Sequence, residues 1–156
     1  MRIVIVPLLS VLGYFCLPLW ECRACSCDRQ SVPNAYSSAE IVFEGTITSI
    51  EGTITTGTWP AGMVKFRITR IWKGNVGSDF EMPAVVEGGS CIGFYPSVLK
   101  RGNKLLVYAG LVAWTPKGDK AYFTHACART QLLKDAKEDL AVLQATYGKS
   151  EVKPVP

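Results

Sequence analysis

Two cysteines separated by one serine, Cys25-Ser26-Cys27, follow directly after a hydrophobic leader. Cleavage after Ala24 would give a mature chain that begins with Cys25, so that a free α-amine and a carbonyl lie at the chain end. An α-amine titrates at about pH 8 and is a good metal ligand when it is neutral. A disulfide at Cys25 would hold this terminus rigid. These residues therefore predict a protruding chelator that can enter the active site of another protein and bind its metal.

Residues 1–24 are predicted to be a secretory signal peptide. Arg2 provides the positive start, a mostly apolar run follows, and Cys22-Arg23-Ala24 is a small-x-small cleavage site. A membrane anchor is the weaker alternative, because prolines and a glycine interrupt the apolar run. Acylation of Cys22 or Cys25 is a second alternative, although neither has the expected preceding residues. We therefore expect a secreted, extracellular protein that is not held in a membrane after cleavage.

The composition of the mature chain suits one domain with a modest core. Removal of residues 1–24 takes away Arg2, Arg23 and Glu21, which leaves 132 residues with 15 basic and 12 acidic side chains and a net charge of +3. These charges are dispersed along the sequence. They do not form the basic stripe that is typical of proteins that bind nucleic acids, so no nucleic-acid partner is expected.

Four cysteines remain after cleavage: Cys25, Cys27, Cys91 and Cys127. An even number in an exported chain indicates disulfides, and four cysteines allow three connectivities. Pairing of Cys25 with Cys27 is sterically poor, which leaves two connectivities open. A structural zinc site is the alternative, but Cys91 and Cys127 lack the paired spacing of such sites. No cofactor is expected.

The hydrophobic pattern predicts five strands and one C-terminal helix. Alternating or β-branched runs indicate strands at residues 40–50, 63–72, 79–86, 104–110 and 121–127, with a glycine-rich connection at residues 51–62. Helical spacing of Leu132, Ala136, Leu140, Leu143 and Tyr147, with Gly148 as a stop, indicates the helix. Residues 149–156 are predicted to be a flexible tail. The expected fold is mainly β, a five-stranded Greek-key OB-fold barrel with a C-terminal amphipathic helix and two disulfides.

Several segments of the sequence resemble the tissue inhibitors of metalloproteinases and related netrin-like (NTR) domains. The likeness covers most of the mature chain, and its cysteine placement is more specific than its individual strand matches. The matching segments are Cys25-Ser26-Cys27, IVFEG at 41–45, VKFRITRIWKG at 64–74, GSCIG at 89–93, LLVYAG at 105–110 and FTHAC at 123–127.

The resemblance implies an OB-fold domain over residues 25–148, with Cys25 bridged to Cys91 and Cys27 bridged to Cys127. It implies that the Cys25 amine and carbonyl chelate the catalytic zinc of a target metalloproteinase, and that Ser26 enters the adjacent specificity pocket. The rest of the protease-binding surface would comprise Cys27, Asp28, Gly88, Gly89, Ser90 and Cys91. Such a protein is an inhibitor without chemistry of its own.

Two departures from the family pattern concern this surface. No cysteine lies between Cys27 and Cys91 to form the family's third bridge, and the charged Asp28-Arg29-Gln30 follows Cys27. The alternative function is an extracellular NTR-type binding module for matrix or cell-surface ligands, without inhibitory activity. An enzyme is disfavoured because His125 is the sole histidine and no catalytic set accompanies it. The sequence indicates neither the target protease nor the oligomeric state.

Overall fold

An antiparallel β-sheet forms most of the computed structural model, which describes residues 28–53, 61–84, 91–113, 118–125, 127–148 and 151–152. Five strands follow one another across the sheet in the order β3-β2-β1-β4-β5. Two further short strands pair at its edges, β6 with β4 and β7 with β2. The strands are β1 (Ile41–Thr53), β2 (Ala61–Lys73), β3 (Asp79–Pro83), β4 (Lys104–Ala113), β5 (Lys120–Phe123), β6 (Gln131–Leu132) and β7 (Glu151–Val152).

The five-stranded sheet curls into a half-barrel. The register between β1 and β2 shifts at three places along β1, and such irregularities bend a strand and increase its twist. At the two ends of the sheet, the ring of Phe80 on β3 lies 5.7 Å from the ring of Tyr122 on β5. The expectation of a mainly β chain with five antiparallel strands and a C-terminal helix is therefore confirmed.

Apolar side chains fill the concave side of the half-barrel. Along β2, Val64, Phe66 and Ile68 are buried while the residues between them are only partly covered, as expected for a strand whose side chains alternate between two faces. Phe66 packs edge-on against Phe43 of β1 at 5.4 Å between ring centres, an arrangement that adds to the area that both rings bury. This core holds the curled sheet together.

Two helices cover the convex side of the sheet, α1 (Val32–Ser38) and α2 (Lys137–Tyr147). Val42, Leu106 and Tyr108 point outward from β1 and β4 and form a second buried cluster with Ala35 of α1 and Leu143 of α2. The helices also touch each other, and the rings of Tyr36 and Tyr147 stack at 3.7 Å. Residues 105–109 of β4 are consequently buried on both faces, whereas Leu111 and Val112 near its end are exposed.

Helix α1 is short, and both of its ends are capped. Ser31 accepts a hydrogen bond from the backbone N–H of Asn34 at the first turn. At the last turn, Lys73 Nζ donates to the carbonyl oxygens of Tyr36 and Ser37 at 2.8 and 3.0 Å, which satisfies oxygens that a helix end leaves unpaired. The hydrogen bonds from Lys73 fix the end of α1 against β2.

Several predicted boundaries were wrong. Strand β1 continues to Thr53 and β2 begins at Ala61, so the connection predicted at 51–62 is shorter, and β4 continues to Ala113. Strand β3 stops at Pro83, which cannot donate to a ladder, and β5 stops at Phe123 rather than at Cys127. Helix α2 begins at Lys137 rather than near Leu132, because Leu132 is extended and pairs with Leu105 before a 3₁₀ turn at Leu133–Asp135. The predicted stop of α2 agrees with the structure, since Gly148 follows its last residue and has a φ of 62°.

Two residues of the segment predicted to be a flexible tail belong to the described part of the chain. Glu151–Val152 forms β7 and pairs with Arg70 and Ile71 of β2. The rest of residues 149–156, the connection at 54–60 and the predicted signal peptide lie outside the described residues. Within the described part of the chain, no helix combines the length and apolar character needed to cross a bilayer.

Replacement of Gly74 by alanine is expected to destabilise the turn after β2 by about 2–5 kcal/mol. Gly74 has a φ of 80°, and a Cβ there would lie 2.7 Å from Ile41 Cγ2 and 2.8 Å from the Glu40 carbonyl oxygen. Left-handed backbone costs a non-glycine residue roughly 1–2 kcal/mol, and overpacking adds roughly 1–3 kcal/mol. Urea unfolding measures this loss. Gly102→Ala is the matched control, since Gly102 has a φ of 86° but open space around it; equal losses in both variants would contradict the close contact.

Candidate functional site

The chain that leads into α1 lies against the segment that follows β5. Asp28 and Arg29 line a groove of about 430 Å³ together with Cys127, Ala128 and the neighbouring residues. One residue further along, the carbonyl oxygen of Gln30 accepts a hydrogen bond of 2.9 Å from Arg129 Nη1. The fold therefore brings the first described residues next to one of the predicted disulfide cysteines.

Cys91 and Cys127 lie at the same end of the sheet. Ile92 forms an antiparallel bridge with His125, and the N–H of Gly93 donates to the carbonyl oxygen of Thr124 at 2.9 Å. Cys91 and Cys127 are both disulfide-bonded.

The remaining predicted site residues lie outside the described residues. These are Cys25, Ser26, Cys27, Gly88, Gly89 and Ser90. The two expected pairings, Cys25 with Cys91 and Cys27 with Cys127, both include one of these residues and stay predictions. Of the predicted protease-binding set, the structure places Asp28, which is exposed on the wall of the groove, and Cys91.

Cys91 has an unusual backbone conformation. Its φ is 57°, and within the described ranges it is the only residue other than glycine with a positive φ. A non-glycine residue in this region costs roughly 1–3 kcal/mol and persists where the surrounding structure enforces it. The disulfide at Cys91 and the bridge at Ile92 are two such constraints. The chain at Cys91 is therefore held in a defined direction.

A buried ionic network lies below the groove. Arg129 donates to Asp139 through Nε at 2.8 Å and through Nη2 at 2.7 Å, and the same Nη2 donates to Glu138 at 2.8 Å. Asp139 also accepts hydrogen bonds of 2.9 Å from the Tyr108 hydroxyl and from Gln131 Nε2. The Arg129 side chain is 4% exposed and that of Asp139 1% exposed, so these charges depend on each other.

The environment keeps Arg129 charged and Tyr108 neutral. Hydrogen bonds to Asp139 are the largest cause that raises the pKa of Arg129 above its ordinary value. Burial, followed by the negative charge of Asp139, raises the pKa of Tyr108, so that its hydroxyl remains a donor. The network thus has a permanent cation, its carboxylate partner and a neutral phenol, and it is suited to fixing positions rather than to transferring protons.

Sequence reasoning missed this network. A charged run such as Lys137-Glu138-Asp139 usually forms a solvated helix face, but Asp139 is 0% exposed. A signal was present in the sequence: Asp139 lies four residues before Leu143 and three after Ala136, on the apolar face of α2. Arg129, ten residues earlier, is its partner.

Among the residues that the structure describes, the single histidine, His125, belongs to no metal-binding cluster. His125 pairs with Ile92 in an isolated bridge and belongs to the exposed residues. The part of its side chain that is covered loses solvation, which lowers the pKa of the imidazole. Across the described ranges, no group of three or more histidine, cysteine, aspartate or glutamate side chains could hold a metal ion. Any zinc in the predicted mechanism belongs to the target protease.

Comparison with known proteins adds no relative: no family model matches the sequence, and a search of curated proteins returned no significant match.

Proposed function

We propose that this chain is a secreted inhibitor of zinc metalloproteinases, folded as an OB-fold domain with Cys25 bridged to Cys91 and Cys27 bridged to Cys127. The observation that supports the proposal most directly is the position of Asp28 and Arg29 beside the disulfide-bonded Cys127. Asp28 is covalently joined to Cys27, and Cys25 lies at most about 11 Å from Asp28 along an extended chain. The bonded Cys127, four residues after β5, is thus within reach of the predicted terminus.

In the proposed mechanism, the Cys25 amine and carbonyl fill the open coordination position of the target's zinc. A catalytic zinc keeps this position for the water that it activates, so occupation by the inhibitor stops hydrolysis. Ser26 enters the neighbouring pocket, and Cys27, Asp28 and the loop of Gly88, Gly89 and Ser90 complete the contact. The bonded Cys91 and Cys127 keep the terminus rigid, which lowers the entropy lost on binding.

The test combines a chemical and a functional measurement on the secreted protein. N-terminal sequencing and intact mass are expected to show a start at Cys25, an unmodified amine and two disulfides. Inhibition constants are then measured against a panel of zinc metalloproteinases, with serine proteases as the control class. Submicromolar inhibition confined to the zinc enzymes supports the proposal; a blocked Cys25 amine, or no inhibition across the panel, contradicts it.

A second candidate function, the extracellular binding module, is favoured by a basic cluster defined by Lys100, Arg101, Lys104 and Lys134. Lys104 and Lys134 line one groove of about 400 Å³. Lys100 and Arg101 belong to the adjoining turn, in which the N–H of Asn103 donates to the Lys100 carbonyl oxygen at 3.0 Å. All four side chains are exposed, and within the described part of the chain none forms a salt bridge. Such a cluster suits an anionic matrix polysaccharide.

The double substitution Lys104→Glu/Lys134→Glu is expected to weaken retention of the protein on an immobilised sulfated polysaccharide, so that elution occurs at clearly lower salt. Attraction between exposed charges and a polyanion is screened by salt. Lys120→Glu, an exposed lysine on β5 outside the cluster, is the matched control. Equal elution of the double variant and the wild type would exclude the basic cluster as the binding surface.

A further inference from the structure

We propose that Arg129 is a positioning residue that fixes the N-terminal segment, residues 28–31, to helix α2 and thereby sets the direction in which the chain leaves towards Cys25. The attachment of the segment is a property of the fold. Its consequence for inhibition rests on the function proposed above, and the experiment below separates the two.

The N-terminal segment has few attachments of its own. Residues 28–31 have no regular secondary structure. Arg29 lies 3.9 Å from Glu138, but both side chains are more than 60% exposed, and exposed pairs of this kind contribute little. The capping bond of Ser31 is with Asn34, three residues away, so it does not join the segment to a distant part of the chain. The hydrogen bond from Arg129 to the Gln30 carbonyl is the contact that joins this segment to a distant part of the chain through a buried group.

Arg129 is well suited to hold a backbone atom in one place. Its guanidinium is planar, and two of its nitrogens are already held by the carboxylate of Asp139 on α2. Because these bonds fix the plane of the guanidinium, they also fix the direction of Nη1. Nη1 donates to the Gln30 carbonyl oxygen at 2.9 Å. A bidentate arginine defines geometry in a way that a lysine ammonium cannot. The position of Gln30 is therefore defined by α2.

The same short stretch carries a second, covalent anchor. Cys127 is disulfide-bonded and lies two residues before Arg129, and Asp28 and Arg29 line the groove beside it. Four residues lie between Cys25 and Gln30, so a change of direction at Gln30 displaces the terminus. A binding group has to be held to within about 0.5 Å of its productive geometry. If the chain is free to move at Gln30, the terminus is no longer held in one geometry and loses more conformational entropy when it binds.

The experiment compares Arg129→Lys with Glu138→Gln. Lysine keeps a positive charge beside Asp139 but cannot bind the carboxylate and the Gln30 oxygen together in the same geometry. Glu138→Gln removes a charged contact from the same guanidinium and leaves the Gln30 contact in place. Two quantities are measured in folded protein with intact disulfides: amide hydrogen exchange of residues 28–35, and the dissociation rate from a zinc metalloproteinase that the wild type inhibits.

Arg129→Lys is expected to accelerate exchange in residues 28–35 and dissociation from the protease by about tenfold each, as for the loss of one charge-assisted hydrogen bond. Glu138→Gln is expected to leave both unchanged. Unchanged exchange in folded Arg129→Lys would overturn the attachment. Faster exchange with an unchanged dissociation rate would overturn the positioning role.

Two further arms keep the result interpretable. If the wild type inhibits no metalloproteinase while exchange still accelerates in Arg129→Lys, the attachment stands and the proposed inhibitory function fails. If Arg129→Lys does not fold, a semisynthetic protein with an ester in place of the Gln30–Ser31 amide weakens the same carbonyl acceptor and leaves the buried ion pair intact. Exchange at residues 28–30 should then increase, and an unchanged rate would overturn the proposal.

Discussion

One alanine added before Cys25 is expected to raise the inhibition constant of this protein against a sensitive zinc metalloproteinase by at least about 1,000-fold. The extension converts the Cys25 α-amine into an amide, which has no basic lone pair to donate to a metal. It also places about 3.8 Å of additional chain in the zinc site. Loss of a metal–ligand interaction of several kcal/mol corresponds to a change of this size.

The measurement is a titration of enzyme activity with the extended protein, after mass analysis has verified the new terminus and the intact disulfides. Ser26→Ala is the matched control at the same end, because it keeps the amine and changes only the pocket-facing side chain. Retention on a sulfated polysaccharide should be equal in the extended and wild-type proteins, since the basic cluster is unchanged. Inhibition that survives the extension would rule out chelation by Cys25.

The parts of the fold that the sequence predicted are those in which local pattern and tertiary environment agree. Side chains of β2 alternate between a buried and a partly covered face, so the alternation of apolar and polar residues is visible in the sequence. The buried part of β4 is an unbroken apolar run because both of its faces are covered. The core of the half-barrel covers one face, and α1 and α2 cover the other. Gly148 ends α2 because its positive φ is accessible to glycine at little cost.

The start of α2 was predicted wrongly because Leu132 fits the spacing of a helix and can also pair with a distant strand. Leu132 has helical spacing with Ala136, yet it is extended and pairs with Leu105 on β4. A ladder with a distant strand is not encoded in the local period, and helix boundaries are the least certain feature of such patterns. The predicted helix therefore merged β6, a 3₁₀ turn and α2 into one element.

The cysteines of the candidate site could be predicted from the sequence. The buried residues that hold the neighbouring chain in place could not. The even number of cysteines and the leader predicted disulfides, and Cys91 and Cys127 are disulfide-bonded. The contact between Arg129 and Gln30 spans 99 positions of the chain, and burial of Asp139 depends on this same arginine. Charged residues are rarely fully buried without a partner, so a reader of the sequence assigns them to the surface until the partner is known.

Replacement of Asp139 by asparagine is expected to lower the free energy of unfolding by about 3–5 kcal/mol, a large part of the total stability of a domain this size. The amide has nearly the same shape as the carboxylate but carries no charge, so Arg129 would keep a buried positive charge with only the exposed Glu138 as an ionic partner. Its NH₂ group would also face the donors of Tyr108 or Gln131. Urea unfolding with the disulfides intact measures the loss.

The exposed pair of Arg67 and Asp79 provides the control, because its distance of 2.8 Å is almost the same while its side chains are 39% and 67% exposed. Asp79→Asn should cost less than about 1 kcal/mol. A double-mutant cycle with Arg129→Met and Asp139→Leu should then show that the second substitution costs far less once the first is present, since no unpaired charge remains. Additive losses in that cycle, or equal losses for Asp139→Asn and Asp79→Asn, would show that mutual dependence of the two charges is not what stabilises this part of the fold.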